Sequence, residues 1–277
     1  MDIKSEMQIL LLATQWGAED LPFDDFIDRT ISAGYDGIDT WVPESAVDRK
    51  LYRQLLNRYN LPVVCHQHQA TGSSIGEFCK SFEYYLNLCM EWDPILINSH
   101  SGRDYFSLDE QLQVLDVASE FAVRNNITVA HETHRGRIGF SPYNSAQLFA
   151  LRQEMRITAD FSHWVCVTES FLENCSTVLS DAMDRTSHVH ARVGFSQGPQ
   201  VADPRVEEWK FASDIFMEWW LKIIRLKRKQ GASRLTITPE FGPPPYMPTL
   251  PATGEPLSDQ FAVNNYIKNR IKMQMLL

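Results

Sequence analysis

The sequence predicts a single-domain (β/α)8 barrel, and two observations support this prediction. Eight short runs of apolar or β-branched residues recur at intervals of roughly 25 to 48 residues, each bounded by turn residues. Amphipathic segments of helical length lie between them. Alternating strands and helices are typical of parallel α/β folds, and eight such units in 277 residues fit a closed barrel better than an open sheet.

The eight predicted strands follow one another in chain order. They cover residues 7–14, 37–42, 61–68, 95–102, 127–134, 156–163, 187–194 and 234–242. The clearest amphipathic helices between and after them cover residues 21–34, 45–60, 107–126 and 211–231. Each of these four ends on a residue that tolerates the left-handed conformation of a helix C-cap, namely Gly34, Asn60, Asn126 and Gly231.

Two segments rich in proline and glycine, residues 194–209 and 241–259, follow the seventh and eighth predicted strands. Long loops at these positions are typical of active sites in parallel α/β folds. No linker, low-complexity tract or close repeat interrupts the pattern. The sequence therefore predicts one domain over residues 1–277.

Composition narrows the classes of protein to be considered. No apolar stretch approaches the roughly 20 residues that span a bilayer, and the N-terminus lacks the pattern of an export signal, so a cytoplasmic protein with no membrane partner is expected. The five cysteines form no CxxC pair, which disfavours a disulfide framework or a structural zinc site. A net charge of −9 disfavours binding to nucleic acid, since phosphate binding relies on basic surfaces.

Histidines are concentrated at the predicted strand ends. In a (β/α)8 barrel the carboxyl ends of all strands converge on one mouth, where active sites lie. His131 is expected to point away from this mouth, because side chains alternate along a strand and Glu132 takes the inward face. The other seven of the eight histidines lie at or just beyond strand ends: His66, His68, His100, His134, His163, His188 and His190.

Carboxylates share these positions. Glu132, Asp160 and Glu240 end the fifth, sixth and eighth strands, and a histidine ends the seventh. Three carboxylates placed close together repel one another, and a divalent ion would remove that cost. A mixed set of oxygen and nitrogen donors suits Mn²⁺, Mg²⁺, Co²⁺ or Zn²⁺. We therefore predict a divalent metal site, with a purely hydrogen-bonded cluster as the alternative.

The order E…DxxH…HxH…E at the ends of strands five to eight resembles the xylose isomerase-like barrel superfamily, and "GYDGIDTW" resembles its glycine-rich entry to strand two. The resemblance covers nearly the whole chain. It implies that the metal ligands are Glu132, Asp160, His190 and Glu240, and that His163 faces substrate. In the epimerase branch the two ligand glutamates are also the acid and base, which gives Glu132 and Glu240 catalytic roles here.

The resemblance also bears on the substrate pocket. Epimerases of this superfamily place a substrate-binding arginine six residues after the metal histidine, where this chain has Ser196, so Arg192 and Arg205 are expected to take its place. We expect the remaining histidines of the strand ends to contact substrate hydroxyls, and a second metal held by His66, His100 and a bridging Glu132 is the alternative. Three tryptophans just beyond strands one, two and six are expected either to face the sugar or to pack under loops: Trp16, Trp41 and Trp164.

The expected function is that of a metal-dependent isomerase or epimerase, which acts on a small sugar or related polyhydroxylated carbonyl compound through an enediolate. A dehydratase of inosose type, an endonuclease IV-like phosphodiesterase and a non-catalytic sugar-binding barrel are the alternatives. The endonuclease interpretation is disfavoured because its third metal needs an Asp-x-His pair, and Asp203 is followed by Arg205. Trp219 and Trp220 are expected in the core or at a contact between subunits of a homo-oligomer.

Overall fold

The computed structural model describes residues 7–276 and forms a closed barrel of eight parallel strands. Each strand pairs with the next in chain order, and β1 pairs with β8, where Gln8 lies opposite Arg234 and Leu11 opposite Ile237. The predicted (β/α)8 class is therefore confirmed. Residues 1–6 and 277 of the predicted domain lie outside the described residues.

All eight predicted strands form, each within or close to its expected range. Each is one to four residues shorter than its predicted run. The last predicted residues lie in the loops of the barrel mouth after six of the strands, whereas after the sixth strand they lie at the start of a helix. The strands are β1 Gln8–Thr14, β2 Gly37–Thr40, β3 Val63–Gln67, β4 Leu96–Ser99, β5 Val129–Glu132, β6 Arg156–Ala159, β7 Thr186–Ala191 and β8 Arg234–Pro239.

Nine helices within residues 7–276 surround the barrel. Asn60, Asn126 and Gly231 occupy left-handed C-cap positions as expected, whereas Gly34, also at positive φ, follows the C-cap Ala33. The helices are α1 Phe23–Ser32, α2 Ala46–Tyr59, α3 Ile75–Met90, α4 Leu108–Asn125, α5 Pro142–Leu151, α6 Phe161–Thr168, α7 Ser176–Arg185, α8 Lys210–Gln230 and α9 Gln260–Met275.

One boundary differs from the sequence-based expectation in a way that affects the site. The sixth predicted strand extended to residue 163, but β6 ends at Ala159 and helix α6 begins at Phe161. Asp160 is the N-cap of this helix, and its Oδ1 accepts hydrogen bonds from the Ser162 backbone N–H at 3.1 Å and the Ser162 hydroxyl at 2.5 Å. His163 therefore lies in the first helical turn, not in a strand.

The two long loops after β7 and β8 pack against each other beside the barrel mouth. The Gln200 side chain joins them, because its amide donates to Gly242 O at 3.1 Å and its Oε1 accepts from Gly242 N at 2.7 Å. Arg192 enters the mouth from the start of the first loop and Tyr246 from the second.

No helix within residues 7–276 is long and apolar enough to span a membrane. All five cysteines are free thiols, as the sequence indicated.

Candidate functional site

The barrel mouth holds a cavity of about 300 Å³, at the small end of the range for small-molecule sites. Nine of the residues expected from the sequence line it: Trp16, Trp41, His66, His68, His100, Glu132, His134, Arg192 and Glu240. Five further lining residues were not predicted, namely Thr14, Asp39, Thr40, Arg137 and Tyr246. The mouth at the carboxyl ends of the strands is thus where the expected side chains meet.

Glu132, Asp160, His190 and Glu240 form one buried cluster. Each offers a ligand atom, and these atoms all lie within 4.8 Å of one another. His190 Nδ1 lies between the two glutamates, 2.8 Å from Glu240 Oε2 and 3.4 Å from Glu132 Oε2. Despite these short distances, neither oxygen lies in the direction of a hydrogen bond from Nδ1, so this buried nitrogen has no aligned partner.

Arg192 lies at the edge of this cluster with only 2% of its surface exposed. Its Nη2 is 3.0 Å from Asp160 Oδ2 and 2.6 Å from Glu240 Oε2, and its Nε donates to Asp160 Oδ2 at 3.1 Å. Burial acts to lower the pKa of Arg192, but the charges of Asp160 and Glu240 outweigh it and raise this pKa further above its ordinary value. The guanidinium is therefore a permanent positive charge beside the carboxylates.

The charges of the cluster leave room for a divalent ion. Three carboxylates and the Arg192 guanidinium leave two formal negative charges when His190 is neutral. Burial raises the pKa of Asp160 to about 6, even though Arg192 lowers it, which indicates that one guanidinium does not neutralise the cluster. An imidazole nitrogen with no aligned partner and three carboxylates match the ligand preferences of Mn²⁺ or Zn²⁺. The residues present fit a divalent metal ion.

Asp39, near the end of β2, contacts His190 on the side of the ring away from the glutamates. Its Oδ2 accepts hydrogen bonds from His190 Nε2 at 3.0 Å, His188 Nε2 at 3.1 Å and the Thr238 hydroxyl at 2.9 Å. Burial acts to raise the pKa of Asp39, but the hydrogen bonds from the two histidines hold this pKa well below its ordinary value. An ionised Asp39 keeps a proton of His190 on Nε2 and turns Nδ1 toward the glutamates. Burial acts to lower the pKa of His190, but the charges of Glu240 and Glu132 outweigh it and raise this pKa well above its ordinary value. Nδ1 therefore also carries a proton in the ion-free site, and a metal ion would have to displace that proton.

His66 and His100 approach Glu132 from β3 and from the residue just after β4. His100 Nε2 lies 3.1 Å and His66 Nε2 3.8 Å from Glu132 Oε2, and neither nitrogen has an aligned hydrogen-bond partner. Burial lowers the pKa of both histidines, so both are neutral near pH 7. Asn98 fixes the same carboxylate by donating to Oε2 at 2.8 Å.

His134 and His163 lie in contact beside the cluster, with ring centroids 3.9 Å apart and ring planes at 51° to each other. His134 lines the cavity, and burial lowers its pKa to about 4. His163 is fully buried, 3.6 Å from Asp160 Oδ2, and both of its ring nitrogens lack hydrogen-bond partners. The structure thus places His163 behind His134 and next to Asp160.

Four residues expected to contact substrate do not line the cavity, and the first of them is His163, which is fully buried behind His134. Trp164 is fully buried in the core, where it packs on Phe161 and donates from Nε1 to Gly139 O at 2.8 Å, so the pocket role given to it must be corrected. Arg205 points into a different groove and pairs with Asp203 at 2.6 Å. His188 contacts Asp39 beneath the cavity instead of lining it.

One of the cavity residues that the sequence analysis did not predict could have been recognised from the sequence. Asp39 is a charged residue within the short predicted strand "GIDTWV", where only an inward, paired carboxylate is tolerated. Arg137 and Tyr246 had no such signal, because they reach the cavity from loops whose paths depend on tertiary packing. His131 points outward as expected, and its Nδ1 lies 2.6 Å from the Ser101 hydroxyl.

No protein-family model matches the chain, and no curated protein matches it in sequence. Solved structures match it over nearly its whole length. The 3-keto-D-glucoside 4-epimerase from E. coli is 12% identical with a TM-score of 0.63, covering 96% of this chain and 100% of the epimerase. The probable 3-DHS dehydratase AsbF from Bacillus anthracis is 14% identical with a TM-score of 0.61, covering 97% and 99%.

Endonuclease IV from Thermus thermophilus is 13% identical with a TM-score of 0.60, covering 97% of this chain and 98% of the endonuclease. Other matches are xylose isomerase domain proteins. The fold is that of the xylose isomerase-like TIM barrels. At this level of identity the similarity establishes the fold alone, and xylose isomerase-like barrels with one fold perform different reactions.

Proposed function

We propose that this xylose isomerase-like barrel is a metal-dependent isomerase or epimerase of a small sugar or related polyhydroxylated carbonyl compound. One observation carries the proposal: Glu132 and Glu240, from β5 and the end of β8, line the same cavity on either side of His190 Nδ1. Two carboxylates that reach one small cavity from different sides of a barrel can serve opposite faces of a bound substrate.

Both glutamates are held in the ionised form that a base needs. Burial acts to raise the pKa of Glu132 and of Glu240, but electrostatic interactions and hydrogen bonds with neighbouring residues outweigh it in both cases. His100 and His190 lower the pKa of Glu132, and His190 and Arg192 lower that of Glu240. Asn98 and Arg192 also fix the two carboxylates in place through hydrogen bonds of 2.8 and 2.6 Å.

Glu132, Asp160, His190 and Glu240 would hold the divalent ion, whose positive charge lowers the pKa of a C–H bond next to a carbonyl. One glutamate then removes the proton from that carbon to give an enediolate of the substrate. For epimerisation, the other glutamate takes up a proton from solvent water and delivers it to the opposite face, while the first glutamate releases the abstracted proton to water. For isomerisation, the proton reaches the neighbouring carbon instead. His66 and His100, both neutral, offer hydrogen bonds to substrate hydroxyls.

The cavity walls also suit a carbohydrate. Trp16 and Tyr246 meet edge to face at 5.1 Å, and Trp41 lies edge to face with His68 at 5.7 Å, so flat apolar surfaces and polar ring nitrogens alternate around the cavity. Sugars have the same alternation of C–H faces and hydroxyl edges. A small carbohydrate is therefore the proposed substrate.

The test is turnover of a panel of keto sugars and their phosphates in deuterated water, with Mn²⁺ added. We expect deuterium at a single carbon of the true substrate. Glu132→Gln and Glu240→Gln should each lose at least ~10² in turnover, the low end for a positioned acid or base. Glu120→Gln, an exposed change on helix α4, is the matched control and should keep parent activity.

Metal content measured on the same samples separates loss of the base from loss of the ion. Near-parent turnover in either active-site variant would contradict the two-glutamate mechanism. A dehydratase would share the first proton removal, and mass spectrometry would then show a product that has lost water. The structural similarity to AsbF makes this the second candidate.

A further inference from the structure

Arg137 lines the cavity from the loop after β5, yet its charge is not compensated. Within residues 7–276 the Arg137 guanidinium donates no hydrogen bond and has no carboxylate within 4.0 Å. The charges of Glu132 and Asp104 act on its pKa only from beyond that distance. Burial, followed by the charge of Arg103, lowers the pKa of Arg137. A half-buried cation with no partner is costly unless a ligand supplies the missing negative charge.

The neighbouring arginine adds to this imbalance. Arg103 donates from Nη1 to Gly102 O at 2.8 Å and from Nη2 to Ala70 O at 2.9 Å, and its guanidinium lies 5.2 Å from the ring of Phe78. These partners are neutral, so Arg103 also has no carboxylate within 4.0 Å in the described chain. Arg103 does not itself line the cavity, but its positive charge acts on Arg137, and no protein carboxylate within 4.0 Å offsets either guanidinium in the described residues.

Arg192, the other arginine of the cavity, is in the opposite electrostatic situation. Asp160 and Glu240 already neutralise it, at 3.0 and 2.6 Å. Its Nη1 is nevertheless buried and lacks a hydrogen-bond partner. A neutral hydroxyl or carbonyl oxygen would satisfy this N–H group, whereas an anion placed there would meet the two carboxylates.

We propose that Arg137 binds an anionic group of the substrate, a carboxylate or a phosphate, while Arg192 Nη1 donates to an uncharged oxygen nearer the glutamates. This inference rests on the proposed function, because it assigns a substrate to the same cavity. It orients the substrate with its charged end toward the loop after β5 and its reacting carbons over the carboxylate cluster. Guanidinium groups are well suited to both oxyanions, since their planar N–H donors match carboxylate and phosphate geometry.

The test uses inorganic phosphate and acetate as probes and needs no turnover. Each is titrated by calorimetry at low ionic strength into full-length protein treated with chelator, so that a bound metal cannot attract the anion. We expect saturable binding of at least one probe, weakened tenfold or more in Arg137→Met. Arg53→Met removes one exposed arginine from helix α2 with no ion pair and should bind as the parent does.

A second measurement does not depend on the variant folding. In the parent protein, phenylglyoxal modification followed by peptide mapping should label Arg137, and the binding probe should slow that labelling while Arg53 reacts at an unchanged rate. Stronger binding of phosphate than of acetate identifies a phosphorylated substrate, and the reverse identifies a carboxylate. No saturable binding of either probe, or equal binding by Arg137→Met, overturns the proposal.

These outcomes are independent of the two-glutamate mechanism. Anion binding at Arg137 with full activity of the Glu→Gln variants would leave this site standing and reject the proposed chemistry. Loss of activity in those variants without anion binding would do the opposite.

Discussion

At the scale of single residues, Asp39 decides which nitrogen of His190 faces the carboxylates. Its Oδ2 accepts a hydrogen bond from the Nε2–H of His190. The same oxygen is held in place by hydrogen bonds with His188 and Thr238. The Thr236 hydroxyl lies 2.7 Å from His188 Nδ1 and orients that ring in turn. A chain of buried hydrogen bonds therefore sets the direction of a single ring nitrogen, on which the geometry of the proposed metal site depends.

We predict that Asp39→Asn weakens Mn²⁺ binding 10- to 100-fold, the typical effect of losing such a supporting carboxylate. The asparagine keeps the size of the side chain but removes the charge that favours the Nε2–H form of His190. Calorimetry or competition with a metal-binding dye measures the change. Asp28→Asn, an exposed change on helix α1, removes the same charge and should leave the affinity unchanged. Equal affinities for the two variants would refute a positioning role for Asp39.

At the scale of elements, the two-residue alternation of strands explains which side chains meet. His188 and His190 lie two residues apart on β7 and share its inner face, and both contact Asp39. His131 precedes Glu132 on β5, so it points outward to Ser101. Helix α6 follows a different period. Asp160, its N-cap, and His163 are three residues apart, a spacing that brings side chains together on one face of a helix.

Helix α4 gives a prediction about stability at this scale. Ser107 and Glu110 form a reciprocal capping box at its N-terminus, with Glu110 Oε2 accepting from the Ser107 backbone N–H at 2.9 Å. Ser107→Ala should lower the free energy of unfolding by about 1 kcal/mol, because it leaves a helix N–H group without its partner. Urea denaturation measures this. Glu120→Ala, an exposed change within the same helix, should stay within ~0.5 kcal/mol of the parent, and an equal shift in both variants would argue against the cap.

At the scale of the whole molecule, closure of the barrel between β1 and β8 completes the site. This pairing brings Trp16, just after β1, next to the residues that follow β8, including Tyr246 at 5.1 Å. The loop after β8 also carries the carbonyl of Gly242, which binds Gln200 of the preceding loop. Residues more than 200 positions apart in sequence thus form one wall of the cavity.

Net charge is also a property of the whole molecule, and it disfavours the endonuclease IV interpretation. With 35 acidic and 26 basic residues, the chain should be repelled by DNA phosphates over most of its surface. Arg205, at the position expected for a third-metal histidine, is held by Asp203. We expect no tight binding of abasic duplex DNA at physiological salt and no nicking with Zn²⁺ or Mn²⁺, with the Thermus endonuclease as positive control. Metal-dependent nicking by the purified protein would reverse this assignment.

The sequence by itself determined the barrel fold and most of the residues that line its mouth. Alternating strands and helices are local patterns, and their period and spacing do not depend on distant contacts, which is why all eight strands could be predicted. The strand-end rule then placed Glu132, Asp160, His190 and Glu240 at one mouth without any knowledge of their distances. The resemblance assigned them as ligands, and the structure brings their donor atoms within 4.8 Å of one another.

Only the tertiary structure decided how these residues are paired. The cavity is also lined by Asp39, Arg137 and Tyr246, which the sequence analysis did not include. Trp164 lies in the core and not in the cavity. Arg192 pairs with two carboxylates. Side-chain direction beyond a strand end, the course of a long loop and the pairing of buried charges all depend on contacts between residues far apart in the chain. A buried charge is stable only when an oppositely charged or hydrogen-bonding group lies next to it. The closed barrel fixes the position of that group.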